Sequence, residues 1–409
     1  MKRKREEKYV IDNTKKLLSD EVFYNDLLSE IIIGYLNSEE LKELTSTNKY
    51  FEEKTDKEYN VNFLIKFLKL INEEKDKILS SKYKININVK ITKDFSITDL
   101  ITCFESFNTI RSVGFCECKQ EKFNFNSRIH TLDLSYCHRI TDVRALGGVH
   151  TLNLSNCPGI TDVSSLGGVH TLDLSDCQGI TNVSDLRGVH DLDLSNCQGI
   201  TNVSALGRVH TLNLSNTGVE DVSALGGVHT LNLSNTGVED VSALGGVHSL
   251  DLSYCEDITD VSSLNRVHTL YLIDTNVTDI SVLTGVHTLK LGSEIIDESL
   301  KDLTSVTDLF LIGVAYEEED EDKIIYTGKI DLQYIKENVK CLSLQYYRYI
   351  SNLDKLTKLE TLKLFECHIN KDILESLKKS NINTLFIEDC KFDINKSDLN
   401  TLTKKIIFL

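Results

Sequence analysis

The chain has 409 residues, 41% of them hydrophobic, and a formal net charge of −17. An acid excess of this size excludes nucleic acid as a partner, because phosphate contacts need clustered Lys and Arg, and it favours protein partners with basic segments. No apolar run reaches the roughly 18 residues that span a bilayer, and MKRKREEKYV at the N-terminus has no hydrophobic stretch behind it. Neither a membrane nor secretion is therefore expected, and the chain is placed in the cytoplasm or nucleus.

Residues 1–25 read as a charged tail or helix, whose basic run Lys2–Arg5 suits either a solvated terminus or a nuclear import signal. Residues 26–82 read as helices: Phe63, Leu64, Phe67, Leu68, Ile71 and Ile78 recur at three- and four-residue steps and line one face. Ahead of them lies LLSEIIIGYLNSEELKELTSTNKYF at 27–51. Its Leu-x-Glu-Ile start, the acidic-Leu-x-x-Leu segment and the closing Asn-Lys-Tyr-Phe resemble an F-box, with Ser29 where that family has proline. The resemblance implies that Leu28, Glu30, Ile31, Leu36, Leu41, Leu44, Tyr50 and Phe51 dock on the small adaptor of cullin-RING ubiquitin ligases. The same apolar spacing suits a helical cap over the open first coil of a solenoid, and the residues leave that alternative open.

KININVKI at 84–91 alternates and predicts an edge strand. Ile110, Val113, Phe115 and Cys118 then form a worn copy of a unit that repeats in clean form over 130–292. In that stretch the leucines opening each Leu-x-Leu triplet are Leu132, Leu152, Leu172, Leu192, Leu212, Leu231, Leu250, Leu270 and Leu289, a period of 20 or 19. One coil reads Val149-x-x-Leu152-x-Leu154-x-x-Cys157-x-x-Ile160, which resembles the leucine-rich repeat, and the ITD after the cysteine resembles the repeats of F-box leucine-rich-repeat proteins. The fold class expected over 84–409 is thus an α/β solenoid of about fourteen coils, with a parallel sheet on the concave face and short 3₁₀ or turn segments on the convex face. Its six inward aliphatics in one coil are Val149, Leu152, Leu154, Ile160, Val163 and Leu166. A single proline in a chain rich in Lys, Ile and Asn adds a likeness to leucine-rich-repeat proteins of large DNA viruses.

Three columns carry polar chemistry. Cys118, Cys137, Cys157, Cys177, Cys197, Cys255, Cys367 and Cys390 share one place, taken by Thr217, Thr236 and Thr275 in other coils. A place that accepts thiol or hydroxyl predicts a small inward side chain bonded to backbone. Parallel side chains in a line cannot wrap a tetrahedron, and a reducing compartment opposes disulfides, so no metal, disulfide or other cofactor is expected there. His130, His150, His170, His190, His210, His229, His248, His268 and His287 form a second column, read as a half-buried edge ladder with metal binding or pH sensing as the alternative.

The third column is the candidate partner-binding face: Asp133, Asn153, Asp173, Asp193, Asn213, Asn232, Asp251 and Tyr271 between the strand leucines, with Tyr136, Asp176 and Tyr254 just after the strands. An acidic, amide-rich strip suits an extended basic segment, and the same residues suit a merely solvated surface. Beyond Leu289 the pattern decays, with an acidic loop insertion at 314–328 and a C-terminal cap at 393–409. No P-loop, nucleophile elbow or paired carboxylate motif stands out, so the chain is read as a monomeric, non-enzymatic interaction protein.

Overall fold

The computed structural model describes residues 85–90, 110–116, 121, 129–293, 297–318, 323–402 and 404–408. The chain divides into two compact units, Met1–Ile180 and Thr181–Leu409.

In the first unit the strands Ile85–Lys90, Ile110–Cys116, Thr131–Asp133, Thr151–Asn153 and Thr171–Asp173 follow one another in one parallel sheet. In the second, the strands from Asp191–Asp193 to Thr288–Leu291 do the same, and Asp308–Ile312, Cys341–Gln345, Thr361–Phe365, Thr384–Glu388 and Lys405–Phe408 continue the ladder. Equivalent residues pair across each step: Leu132 with Leu152 with Leu172, and Leu212 with Leu231 with Leu250. Because strand side chains alternate between faces, the two leucines of Leu-x-Leu point the same way. They point inward, Leu152 being 1% exposed and Leu154 0%. All six aliphatics expected inside that coil are buried, and Val169 and Cys157 join them.

Each coil turns away from its strand through a residue in the left-handed region: Tyr136, Asn156 and Asp176 in the first unit, Asn196, Asn216, Asn235 and Tyr254 in the second, with φ between 55° and 63°. Asn and Asp reach this region at little cost, which explains their dominance there. The return passes through a short 3₁₀ turn such as Ser164–Leu166, closed by Leu166 N–H to Val163 O at 2.9 Å and Val169 N–H to Leu166 O at 3.0 Å. The aspartate or asparagine ahead of the turn accepts from the serine N–H that starts it: Asp162 from Ser164 at 3.0 Å, Asn202 from Ser204 at 3.1 Å. The glycines after the 3₁₀ turn do not work by unusual backbone angles, since Gly147 and Gly167 both have φ of −63°. They give room: a Cβ on Gly147 would lie 2.1 Å from Ser165 O of the next coil.

These repeats, buried leucine rows and 3₁₀ returns are the leucine-rich-repeat solenoid. Three details differ from the sequence reading. The insertion read as an acidic loop carries an antiparallel pair, Ala315–Glu318 with Lys323–Tyr326. The segment read as a cap contributes Lys405–Phe408 as one more strand beside Thr384–Glu388, so it extends the ladder. One coil of the second unit returns through an α-helix, α1, Lys371–Lys379, where three extra residues allow a full helix. Asn370 caps α1 by accepting from Ile373 N–H at 3.0 Å, and Ile373, Leu374 and Leu377 form its buried face.

Candidate functional site

The cysteine column is structural. Cys157, Cys177 and Cys255 donate from Sγ to the leucine carbonyl of the preceding coil, at 3.3, 3.1 and 3.1 Å. Thr217 and Thr236 instead donate to their own coil's leucine carbonyl at 2.6 Å. Over the clean coils the two choices match coil length, because cysteine stands there in 20-residue coils and threonine in those one residue shorter. In the longer corner a backbone N–H does that job, as Cys177 N–H does for Leu174 O at 3.2 Å. The eight cysteines from Cys137 to Cys390 are thiols with no disulfide among them. Burial pushes the Cys367 thiol up to about 12 and the Cys390 thiol to about 11, which keeps both protonated and unreactive.

The histidines are not half-buried: all nine rings are exposed. In the first unit His130 stacks on His150 and His150 on His170, with centroids 4.2 and 4.6 Å apart. In the second unit the rings from His190 to His287 stack one on the next at 4.6 to 4.8 Å.

The strip residues lie on the exposed face of each sheet and are half-buried between neighbours. Each carboxylate or amide spends one oxygen at home. Asp133, Asn153 and Asp173 accept from the N–H of Ser135, Ser155 and Ser175 at 3.0, 2.8 and 2.9 Å. Asp193, Asn213, Asn232 and Asp251 do the same for Ser195, Ser215, Ser234 and Ser253. Asn213 also donates from Nδ2 to Asp193 Oδ2 at 3.0 Å. The strip therefore caps the strand ends while one atom of each head group stays turned to the face. Tyr136 and Tyr254 stand out from it, 47% and 52% exposed, on left-handed backbone.

In the sequence the place between the strand leucines runs on from Tyr271 to Lys290. In the second unit the same register place continues through Lys290, Phe310, Ser343, Lys363 and Phe386. Lys363 Nζ sits over the rings of Phe310 and Phe386 at 5.9 and 5.7 Å, and Lys290 over Tyr271 at 5.7 Å. Lys290, Phe310 and Ser343 line a cleft of about 300 Å³, walled further by Ile312, Phe365, Glu366 and Glu388. The Ser343 hydroxyl at its floor is buried and has no hydrogen-bond partner among the described residues. The place between the strand leucines was the available signal, and it held through the irregular coils. Leu28, Glu30, Ile31, Leu36, Leu41, Leu44, Tyr50 and Phe51 lie outside the described residues.

No family model matches the chain, and no curated protein does. Among solved structures it is similar to an internalin of Listeria monocytogenes at 18% identity and TM-score 0.46, covering 84% of this chain and 94% of that one. It is similar to the functional domain of InlJ of the same bacterium, described as including a cysteine ladder, at 18% identity and TM-score 0.44, covering 75% and 73%. A leucine-rich-repeat protein of Leptospira interrogans is similar at 12% identity and TM-score 0.44, covering 79% and 89%.

The left-handed tyrosines invite a direct test. Tyr254→Asn installs the residue found at Asn216 and Asn235. It is expected to stabilise the protein by about 0.5–1 kcal/mol in chemical denaturation, since asparagine tolerates this backbone region and tyrosine does not. An unchanged or lower midpoint would mean that the ring packs productively.

Proposed function

We propose that the chain is a non-enzymatic protein-interaction module that holds an extended polypeptide along the exposed face of its repeat sheet. The observation that carries this reading is the single register place that runs from Asp193 through Asp251 and Tyr271 to the cleft lined by Lys290 and Phe310. Carboxylates at strand spacing suit basic side chains of a partner, and Phe310 and Phe365 offer an apolar seat at one end. Protonated, buried thiols and groups that merely recur from coil to coil speak against catalysis. Among the described residues no helix is long and apolar enough to cross a membrane. Thiols without disulfides suit the reducing interior of a cell.

Asp251→Asn tests the face, because asparagine keeps the serine cap, as Asn213 does, and removes only charge. Captured partners are expected to bind about ten-fold more weakly with melting unchanged; undiminished capture would remove the strip from the interface.

The finer reading is that residues 27–51 hold the adaptor of a cullin-RING ligase, which makes the solenoid a substrate receptor. It rests on the F-box-like residues alone. A pull-down decides it: the adaptor is expected with the wild type and lost with Leu28→Asp and Ile31→Asp. An adaptor that ignores both proteins, or binds both alike, leaves a scaffold with a helical cap.

A further inference from the structure

We propose that the histidine row of the second unit, His190 to His287, binds divalent transition-metal ions, each held between imidazoles of adjacent coils. The six rings occupy one place in the repeat, all are exposed, and successive centroids lie 4.6, 4.6, 4.7, 4.8 and 4.7 Å apart.

The tethering of the rings decides which nitrogen is offered. His190 Nδ1 lies 3.1 Å from Asp191 Oδ1, and His287 Nδ1 lies 2.9 Å from Gly285 O. Both partners can only accept, so Nδ1 carries the hydrogen and Nε2 of the neutral ring carries the lone pair. A carboxylate or backbone carbonyl on the second nitrogen is the arrangement that orients histidine ligands in metal sites. His210, His229 and His268 place Nδ1 against the hydroxyls of Thr211, Thr230 and Thr269 at 3.3, 3.2 and 3.4 Å. These contacts engage Nδ1 and not Nε2.

Zinc- and nickel-class ions bond imidazole at about 2.0–2.1 Å, so two nitrogens on one ion lie about 3.3–4.2 Å apart. The stacked rings hold their lone pairs nearly parallel, so binding turns the two imidazoles about their side-chain bonds until the lone pairs converge on the ion, which exposed side chains do with no movement of the buried leucines. Water completes the shell, and imidazole ligands select this class of ion over magnesium or calcium. The thiols do not compete, because burial raises those of Cys255, Cys341, Cys367 and Cys390.

Adjacency separates this proposal from a surface that is merely rich in histidine. In a full-length background carrying His130→Gln, His150→Gln and His170→Gln, one variant adds substitutions at His210, His248 and His287, leaving rings two coils apart. A second adds them at His248, His268 and His287, leaving His190, His210 and His229 contiguous. Both keep three imidazoles of the row. In equilibrium dialysis against Ni²⁺ the contiguous variant is expected to bind one ion about 100-fold more tightly than the alternating one, the gain from making the second contact intramolecular. Equal affinities overturn the proposal. The unaltered protein gives an independent reading through diethyl pyrocarbonate modification mapped by mass spectrometry. Ni²⁺ is expected to protect the row while exposed His138 reacts as before; a row that reacts equally with and without Ni²⁺ overturns the proposal as well.

Discussion

Leu231→Ala lowers the unfolding free energy by about 2–5 kcal/mol, the range for deleting a leucine side chain that its neighbours cannot collapse upon. Leu231 is 1% exposed and sits in register between Leu212 and Leu250, which are equally buried. The coils on either side are held at fixed spacing by backbone bonds such as Thr230 N–H to His210 O and Leu233 N–H to Asp251 O, at 3.0 and 2.9 Å. A cavity at Leu231 therefore stays open. In an array where each coil touches only its neighbours, damage at a central coil also weakens the coupling of the coils on both sides. The chain has no tryptophan, so far-ultraviolet circular dichroism in a denaturant series is the suitable readout. Thr230→Ser, which installs the residue found at Ser249, is the matched control and is expected to move the midpoint little. A loss below about 1 kcal/mol for Leu231→Ala would mean that the leucine row is not what holds the coils together.

The same row explains why the fold was legible. Leucine spacing alone fixes which face is buried, because a strand has a period of two and the coil length brings the pattern back in register. The cysteine–threonine alternation was legible as a small inward group bonded to backbone. Its tie to coil length was not, because that depends on which atom satisfies one leucine carbonyl, as in Thr217 and Cys177.

The strip was only half read. Asp193 and Asp251 stand two residues before a serine, the spacing of an Asx turn, and that local job competes with any reading of the column as pure binding surface. The histidines were misjudged in exposure because period-two alternation says nothing about residues just before the strand. Lys363, Phe310 and Phe386 were visible as Leu-x-Leu variants, but the meeting of the lysine with both rings depends on stacking across an insertion. The F-box resemblance rests on residues 27–51 alone, which lie outside the described residues.

Acid stability follows from the aspartates ahead of the 3₁₀ turns. Hydrogen bonds from Ser223 and Ser281, side chain and N–H, hold Asp221 and Asp279 below the ordinary carboxylate value of 3.8. The N–H and hydroxyl of Ser242 and Ser262 do the same for Asp240 and Asp260. A carboxyl whose folded value is depressed contributes stability that is complete above its unfolded value and disappears as pH falls through the folded one. Melting temperature is thus expected to hold on descent to about pH 4 and to drop below it. The combined variant Asp221→Asn, Asp240→Asn, Asp260→Asn and Asp279→Asn separates this source from other carboxylates. Asparagine fills the same role at Asn182 and Asn202, where Oδ1 accepts from Ser184 and Ser204 at 3.1 Å, so the turns stay capped. An amide oxygen accepts less strongly than a carboxylate, so the variant is expected to melt lower at neutral pH. It has nothing left to titrate at these four places, so its curve flattens below about pH 4 and approaches that of the wild type. Curves that stay parallel from neutral pH down into the acid range would place the acid sensitivity elsewhere in the chain.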